Sequence, residues 1–471
     1  MILFLYQNNF TAACIVILEN EGKLSIKDDV RKDIPEMTEF KKGKITIRHL
    51  LHHTSGLRDY LTLILFSGRS FDDYFTEKMG LDILKRQKEL NFTPETEYMY
   101  SNSGYLALAI IVKRISGESI GAFAQKNLFD PFGMENTFIY EDGTKVVKNR
   151  AIGYRKEGAE FKREHHFDFV GGGDGQVCST VEDFFKWSEN FKSNKLGDST
   201  FLSKMLKKGK LSNGDTIPYA LGLFHGNYKN LKTIIHGGAW GGFRVYYVQF
   251  PSEDLSIAIM SNFGTVNTER KVMQIAELIL NDKLIAIDEK KKSNSNAQSE
   301  QIVTTKFLKT QLTGNYEIQA GAAFELTIKN DSLNVLQTWN NISYNIINTT
   351  GNTYELPDDN SIQFVFSKLK NNFTQKISVF EDDNKTTFKR KINIAKINLQ
   401  DYTGNYYSEE LDVAYSIFTR PEFEIAQIVI EPFVAGDEEK RIIEALVTMR
   451  KDVLENGSSF YLKSNFTFTR P

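Results

Sequence analysis

The chain has 471 residues, 41% of them hydrophobic and 25% charged, which is the composition of a globular protein long enough for two or more domains. A formal net charge of −2 gives no electrostatic reason to expect a nucleic acid or an anionic membrane surface as a partner. Two cysteines are too few for a disulfide framework, so they do not indicate a cellular compartment.

The opening stretch, MILFLYQNNFTAACIVILENEGK, predicts a buried helix rather than a signal peptide or a membrane anchor. It has no Lys or Arg before Lys23, and a polar run at residues 6–9 interrupts its apolar residues. Gly22 is placed to end the helix. We expect the fold to begin inside this helix, with nothing before it to pack against. Its buried face is predicted to consist of Phe10, Ala13, Cys14, Ile17 and Leu18.

Residues up to about 283 carry mixed helical and strand patterns. Helical spacing that includes Tyr105 is stopped by Gly117, and a Thr–x–x–Asp capping pattern at Thr180 opens another helix. The segments FRVYYVQFP and LSIAIMSNFG are predicted to be strands joined by the turn PSED. A further helix follows over TERKVMQIAELILND, so the fold class predicted for this part is α/β (α+β).

The chain is predicted to have three parts: residues 1–285, a polar linker over 286–306 that is rich in Ser, Asn and Lys, and a β-rich part over 307–471. In the last part, short apolar runs separated by turns such as KNDS and PDDN predict a small antiparallel barrel or sandwich. The sequence TGNY occurs at 313–316 and at 403–406, and we interpret the two copies as the openings of related halves. Near the end, DEEKRIIEALVTMRKDVLENG predicts an amphipathic helix over residues 437–457.

The segment IIHGGAWGGFRVYYVQFP is one of three that could carry chemistry. Glycines on a strand edge leave backbone N–H groups uncovered, and such groups can donate to a developing oxyanion. His236 is expected to point into the cleft that Gly238 would line. Taken alone, the segment is better explained as a glycine-rich turn with a packing histidine.

The segment FTPETEYMYSNSGY places Tyr100 and Asn102 two residues apart, so an extended or turn-like backbone would present both on one side. A tyrosine hydroxyl can relay a proton when nearby cations lower its pKa, and an asparagine amide can hold a substrate carbonyl. Taken alone, Tyr-Ser-Asn is better explained as the capped start of a helix.

The segment HLLHHTSGLRDY offers Ser55 as a nucleophile beside His53, an assignment that we do not favour. Neighbours in sequence need not have side chains within hydrogen-bond reach of each other. Ser55 followed by Gly56 also fits a turn or a cap.

Four segments in order over roughly residues 8–282 resemble the serine β-lactamase-related family: ITIRHLLHHTSGLRDY, FTPETEYMYSNSGY, GGDGQVCSTVEDFFKW and HGGAWGGFR. That family includes class C β-lactamases, D-Ala-D-Ala peptidases of the penicillin-binding type (peptidase S12) and related esterases. The resemblance implies an antiparallel sheet flanked by helices, plus a helical lobe, with the active site between them. The β-rich tail resembles the lipocalin-like barrels that accompany some members.

The resemblance also implies acyl transfer, in which a serine attacks a carbonyl and an acyl-enzyme forms and is released. In this family a Ser-x-x-Lys motif places the nucleophile and its activating lysine one helical turn apart. Tyr100 and Asn102 correspond to the family's Tyr-x-Asn motif, as proton relay and substrate clamp. His236 and Gly238 correspond to the strand that lines the cleft beside the oxyanion hole. No cofactor and no metal are implied.

The chain departs from the family's pattern at the nucleophile. Counting back from the Phe-Thr-Ala that begins at Phe10 puts the lysine position at Asn8 and the serine position at Leu5, and neither side chain can do the job. We interpret the opening as a nucleophile helix truncated near its first turn, without the strands that precede it in the family. Another Ser-x-x-Lys, at Ser367 and Lys370 in the β-rich part, is attributed to chance.

The predicted function is therefore a serine hydrolase of this family that acts on an amide or ester and is inactive in this chain. The alternative is a non-catalytic protein that binds a peptidoglycan peptide or another ligand in the same cleft. A third hypothesis is a fragment that does not fold stably, because missing edge strands would expose apolar surface. The expected partner is a small molecule or short peptide, without nucleic acid or a membrane span. The sequence predicts neither the substrate nor the oligomeric state.

Overall fold

The computed structural model describes residues 3–5, 8–69, 71, 73–157, 160–164, 169–170, 173–193, 200–229, 231–293, 307–319, 322–337, 342–357, 359–370, 372–381, 384–390, 404–419, 428–433, 459–462 and 466–469. The chain divides into two compact units. The first consists of Met1–Gly226, Leu231–Asn281 and Glu409–Val413, and the second of Asn227–Asn230, Asp282–Ser408 and Ala414–Pro471.

Helices and strands alternate irregularly in the part of the chain before residue 294. The helices are α1 (Asn8–Asn20), α2 (Ile47–Leu51), α3 (Tyr60–Phe66), α4 (Glu77–Arg86), α5 (Asn102–Ser116), α6 (Ile120–Ala124), α7 (Val181–Ser193), α8 (Phe201–Met205) and α9 (Thr268–Ser293). The strands are β1 (Leu3–Leu5), β2 (Phe75–Thr76), β3 (Phe138–Ile139), β4 (Tyr154–Glu157), β5 (Glu160–Arg163), β6 (Phe169–Val170), β7 (Val177–Ser179), β8 (Phe224–Tyr228), β9 (Leu231–Trp240), β10 (Phe243–Phe250) and β11 (Leu255–Ser261).

The main sheet before residue 294 has four strands in the order β11-β10-β9-β8. Strand β10 pairs antiparallel with both β9 and β11, which confirms the two strands predicted around PSED. Gly241 and Gly242 connect β9 to β10 with φ angles of 49° and 79°. Positive φ at both central residues is what a tight two-residue hairpin of the right twist requires, and glycine adopts it without steric cost.

Helix α1 lies at the centre of the first unit and contacts α5, α6 and α8. The predicted helix is confirmed, but the expectation of a single buried face is wrong. Ile15 and Val16 are also fully buried, whereas Ile17 is only half-buried. A helix with neighbours on several sides buries most of its circumference, so spacing of 3.6 residues alone underestimates its contacts. Gly22 follows the helix with φ of 72°, as predicted for its end.

The expectation that nothing packs before α1 is also wrong. Leu3–Leu5 form β1, which pairs antiparallel with β7 in a small sheet of order β1-β7-β3. A short apolar run gains ladder hydrogen bonds by pairing in this way. Further along, the predictions of a helix ending before Gly117 and of one following Thr180 are confirmed by α5 and α7.

The second unit is dominated by a closed antiparallel barrel of strands β12-β13-β14-β15-β16-β17-β20-β21. A short helix, α10 (Lys309–Leu312), precedes it. The strands from there on are β12 (Gly314–Gln319), β13 (Ala322–Lys329), β14 (Ser332–Gln337), β15 (Ile342–Thr350), β16 (Thr353–Leu356), β17 (Asp359–Phe366), β18 (Leu369–Lys370), β19 (Phe373–Thr374), β20 (Lys376–Glu381), β21 (Asn384–Arg390), β22 (Gly404–Ser408), β23 (Val413–Thr419), β24 (Ile428–Phe433), β25 (Ser459–Leu462) and β26 (Phe466–Thr469). The predicted fold class, mixed α and β followed by a small barrel, is confirmed.

The two TGNY segments each lead into a strand, but they enter different sheets. Gly314 begins β12 in the barrel, and Gly404 begins β22 in a five-stranded sheet of order β24-β23-β22-β26-β25. Barrel strands alternate inward residues such as Tyr316, Phe324 and Val335, which pack into one apolar core.

The predicted linker begins later than its composition indicated, because α9 continues to Ser293 through residues 286–293. Glu and Lys are good helix formers, so a polar composition does not by itself end a helix. Residues 294–306 and the helix predicted over 437–457 lie outside the described residues. Within the described part of the chain, no helix has both the length and the apolar character needed to cross a bilayer.

Candidate functional site

A cleft of about 680 Å³ lies along the β9–β10 hairpin in the first unit. It contains three of the four predicted site residues, because Tyr100, Asn102 and Gly238 all line it. A cavity of this size is large enough for a small molecule or short peptide. The charged side chains in its described lining are Asp174, Arg244 and Glu269.

Asn8, the first residue of α1, is in contact with the predicted proton relay. Its side chain is fully buried, and its Nδ2 donates hydrogen bonds to the hydroxyls of Tyr100 at 2.7 Å and Tyr219 at 3.3 Å. The backbone at Gly222 packs closely against this end of α1, because a Cβ at residue 222 would come within 2.5 Å of the Asn9 backbone. Asn8 occupies the position that the resemblance assigns to the lysine. At this position an amide side chain therefore contacts the Tyr100 hydroxyl.

The surroundings of Tyr100 favour the neutral form of its hydroxyl. Burial raises the pKa of its hydroxyl well above the ordinary value, and Tyr219 and Asp174 raise it further. A relay needs the opposite shift, because the hydroxyl must lose its proton near neutral pH. Tyr100 is therefore a neutral hydroxyl that can donate or accept hydrogen bonds.

Asn102 is the first residue of α5, and Asp59 fixes it in place. Its backbone N–H and its Nδ2 both donate to Asp59 Oδ2, at 2.6 and 2.8 Å. Asp59 in turn caps α3, accepting from the backbone N–H of Thr62. The Asn102 amide therefore has a defined orientation at the wall of the cleft, as a substrate clamp requires.

The structure contradicts the expectation that His236 points into the cleft. His236 lines a separate cavity of about 30 Å³, beside Asn9 and Trp187. Its Nδ1 lies 2.8 Å from the Gly237 carbonyl oxygen, and burial lowers its pKa to about 4, so the ring is neutral at pH 7. A neutral imidazole can be buried among aromatic side chains at little cost in desolvation. The neighbouring Gly237 and Gly238 have no side chains, so only their backbone borders the cleft.

His53 and Ser55 have structural contacts, in agreement with the decision not to favour them as a catalytic pair. The Ser55 hydroxyl accepts the backbone N–H of Leu57, a turn contact, and Gly56 has φ of 74°. His53 Nδ1 accepts the N–H of Ser101, and burial lowers the pKa of the ring well below its ordinary value.

Ser367, in the second unit, has a structural environment. Its hydroxyl accepts the backbone N–H groups of Gln375 and Lys376 at 3.1 and 3.0 Å. These contacts fix the connection between barrel strands and give the hydroxyl no general base.

Two residues of the site were missed by sequence reasoning, Asp59 and Asp174. Asp59 precedes the apolar run YLTLILF, and this capping position was the available signal. Asp174 stands between glycines in GGGDGQ, and a lone acidic residue in a glycine-rich loop carries no recognisable pattern. In the structure its Oδ2 accepts the hydroxyl of Tyr60 at 2.9 Å, and burial raises its pKa to about 8.

The described lining of the cleft includes groups that could hold a carbonyl. Asn102 and the backbone around Gly238 border the same cleft, so a carbonyl bound there could accept hydrogen bonds. The two positions assigned by resemblance to the nucleophile and its lysine carry Leu5 and Asn8.

Comparison with known proteins finds relatives of this chain. A protein-family model described as Beta-lactamase matches residues 9–281 of the chain. A penicillin-binding protein of Bacillus subtilis strain 168 is 27% identical over 349 residues, which cover 69% of this chain and 73% of that protein. A D-aminopeptidase of Brucella anthropi is 26% identical over 270 residues, which cover 56% of this chain but only 50% of that protein.

Among solved structures, the octameric penicillin-binding protein homologue from Pyrococcus abyssi has a similar fold. Its TM-score is 0.53 at 18% identity, and the match covers 94% of this chain and 88% of that chain. At this level of identity the likeness concerns the fold.

Proposed function

The chain belongs to the β-lactamase family over residues 9–281, and on that premise we propose that its cleft binds an amide or ester carbonyl but forms little or no acyl-enzyme. The protein is in this proposal a serine hydrolase by descent whose acyl-transfer step is lost in the sequence as it stands.

The observation that carries the proposal is the contact between Asn8 and Tyr100. The resemblance implies a lysine at this position, which would activate the serine and, as a cation, lower the pKa of the tyrosine hydroxyl. Asn8 can only donate or accept hydrogen bonds, and the pKa of Tyr100 is raised rather than lowered. In subtilisin, removal of the serine lowers kcat by about 10⁶-fold, and we expect a loss on that order here.

Covalent labelling tests the proposal. The full chain is incubated with a fluorescent penicillin and, separately, with a fluorophosphonate probe, and is then separated under denaturing conditions. We expect no labelled band with either probe. Labelling at any serine, mapped by peptide mass spectrometry, would overturn the proposal.

A pair of variants tests the reason for the loss. The double variant Leu5→Ser with Asn8→Lys restores both residue types, and Asn8→Lys alone is its matched control because it adds the cation without the hydroxyl. Labelling of the double variant alone would support the absent nucleophile as the cause. Labelling of neither would mean that more than these two residues is missing.

A second candidate function is non-catalytic binding of a short peptide of the peptidoglycan type in the same cleft. It is favoured by the contact with Asp59, which would orient the Asn102 amide for a ligand whether or not a nucleophile is present. Saturable binding of D-Ala-D-Ala dipeptide that Asn102→Ala weakens would support it. Absence of saturation, with a folded protein, would exclude it.

A further inference from the structure

A buried ion pair joins Arg58 to Glu410, which lies 352 residues further along the chain. The two side chains are 1% and 7% exposed. Arg58 Nη1 donates to Glu410 Oε2, and the backbone N–H of Lys88 donates to Glu410 Oε1 at 2.7 Å. Both oxygens of this buried carboxylate therefore accept hydrogen bonds, which is what a charge needs when it is removed from water.

The pair lies within the first unit, because the short segment Glu409–Val413 is part of that unit. The neighbouring Glu409 has a different setting, since it pairs with Lys88 Nζ and both of these side chains are exposed. An exposed pair contributes little to stability, whereas removal of one partner from a buried pair leaves a charge in the interior without its counterion. Of the two glutamates, Glu410 is therefore the one whose loss should disturb its surroundings.

The backbone at Arg58 is held by side chains from two other parts of the unit. Its carbonyl oxygen accepts the Ser103 hydroxyl of α5 at 2.5 Å and Nε2 of Gln87, the residue after α4, at 3.1 Å. Its N–H donates to Gln87 Oε1 at 3.0 Å. The Ser103 hydroxyl oxygen also accepts the N–H of Tyr60 at 2.9 Å. The turn that begins at Arg58 is thus fixed through its backbone as well as through the ion pair.

The next residue in this turn, Asp59, orients Asn102. Its Oδ2 accepts both the backbone N–H and the Nδ2 of Asn102. One peptide unit therefore separates the residue that Glu410 anchors from the carboxylate that sets the direction of the Asn102 amide. A misplacement of about 1 Å can cost an active site about 10²-fold, so a small movement of Arg58 would be felt at the wall of the cleft.

Given the proposed function, on which this inference rests, we infer that Glu410 is a positioning residue for the Asn102 amide. Its carboxylate holds the Arg58 guanidinium and thereby the turn, and Asp59 in that turn fixes Asn102. Glu410 acts through these residues, since it is not among those described as lining the cleft. It also lies outside residues 9–281, which the family model matches. A segment beyond that match therefore contributes to the site.

Two neighbouring variants of the full chain test the inference. Glu410→Gln keeps the shape of the side chain but removes the charge from the buried pair, and Glu409→Gln makes the same change in the exposed pair. Binding of D-Ala-D-Ala dipeptide is measured by calorimetry, after circular dichroism has shown that each variant is folded. We expect the Kd of Glu410→Gln to rise about 10-fold or more, and that of Glu409→Gln to stay within about 2-fold of the wild type. Equal effects of the two changes would overturn the inference.

A double variant tests whether the effect passes through Arg58. Arg58→Gln combined with Glu410→Gln removes both charges, so no charge stays buried without its counterion. The turn is then held by its backbone contacts with Ser103 and Gln87. We expect the double variant to bind the dipeptide more tightly than Glu410→Gln alone. Affinity equal to or weaker than that of the single variant would contradict the inference.

Hydrogen exchange follows the Asn102 amide without any ligand. The first N–H groups of a helix have no intrahelical partner, so protection of the Asn102 backbone amide reports its contact with Asp59. We expect this amide to exchange about 10-fold faster in Glu410→Gln than in the wild type. The Ala122 amide, which donates to the Ser119 side chain at the start of α6, is the internal control and should be unchanged. Unchanged exchange at Asn102, or equal acceleration at both amides, would overturn the inference.

These outcomes separate the inference from the proposed function. Absence of dipeptide binding by the folded wild type would remove the proposed function, whereas exchange at Asn102 would still show whether Glu410 positions the amide. Saturable binding that is the same in Glu410→Gln and the wild type would leave the proposed function intact and remove the inference.

Discussion

Single side chains decide what this cleft can do. Tyr100 and Asn102 could be predicted to line the cleft because they resemble the family's Tyr-x-Asn motif. The contact of Asn8 with Tyr100 is consistent with the predicted correspondence of Asn8 to the lysine position. The orientation of His236 could not be placed, because alternation along a strand does not say which cavity a side chain enters at a glycine-rich turn. The aspartates that complete the site were missed because their role depends on residues distant in sequence, as in the pair Tyr60 and Asp174.

Replacement of Asn8 tests the buried amide. Asn8→Ala removes the donor to the Tyr100 and Tyr219 hydroxyls, and we expect the free energy of unfolding to fall by about 1–3 kcal/mol. Urea unfolding measures the change. Asn20→Ala, at the other and more exposed end of α1, is the control and should cost less. Equal losses of unfolding free energy in the two variants would contradict a stabilising contribution from the hydrogen bonds of Asn8 to the two tyrosines.

The acidity of Asp174 gives a pH prediction. Its pKa is about 8 in the folded chain against an ordinary value of 3.8, so between these values the unfolded state binds fewer protons than the folded state. The free energy of unfolding should therefore fall as pH rises from about 4 to about 8. Asp174→Asn removes this contribution, so the unfolding free energy of the variant should depend less on pH. The pKa of Asp59 is also raised by burial, and this adds the same direction of change to both proteins. Parallel urea-unfolding profiles for the wild type and the variant would contradict the assignment.

At the level of elements, the helices and strands predicted from local sequence patterns are present. The wrong predictions concern features that depend on neighbouring elements. The strands around PSED and the helix before Gly117 follow local rules of alternation and capping, and both are present. The buried faces of α1 were underestimated because the number of neighbouring elements is not written in the helix itself. The extension of α9 to Ser293 was missed because composition distinguishes poorly between a polar linker and a polar helix.

The β9–β10 hairpin gives a prediction for an element. In Gly242→Ala the new Cβ would need a left-handed backbone and would come within 2.6 Å of the Tyr154 backbone nitrogen. Gly22→Ala is the control, with φ of 72° but no atom within 4 Å of the Cβ. We expect the control to cost about 1 kcal/mol of stability, and Gly242→Ala to cost clearly more. Thermal or urea unfolding of the two variants measures the difference, and equal losses would mean that the hairpin can shift freely.

On the scale of the whole molecule, the cleft and the barrel core belong to different units. Every residue described as lining the cleft lies in the first unit, whereas the barrel core belongs to the second. The barrel could be predicted because short strands separated by turn sequences recur along the chain. The allocation of Glu409–Val413 to the first unit could not, because it depends on long-range packing.

The barrel core gives a prediction for stability. Phe364 is 1% exposed, with its ring centroid 5.8 Å from that of Phe324, so Phe364→Ala should lower the free energy of unfolding by about 3–5 kcal/mol. Phe373→Ala, at a residue 42% exposed, is the control and should cost much less. Urea unfolding measures both. A loss in Phe373→Ala as large as that in Phe364→Ala would contradict the placement of the core.

The central proposal is that the cleft binds an amide or ester carbonyl but forms little or no acyl-enzyme. Intact-mass spectrometry of the full chain after prolonged exposure to excess benzylpenicillin tests it most directly, because an acyl-enzyme adds the whole ligand to the protein. We expect the mass of the chain to stay unchanged, while the Bacillus subtilis relative serves as the comparison under identical conditions. A stoichiometric adduct on a serine of this chain would contradict the account.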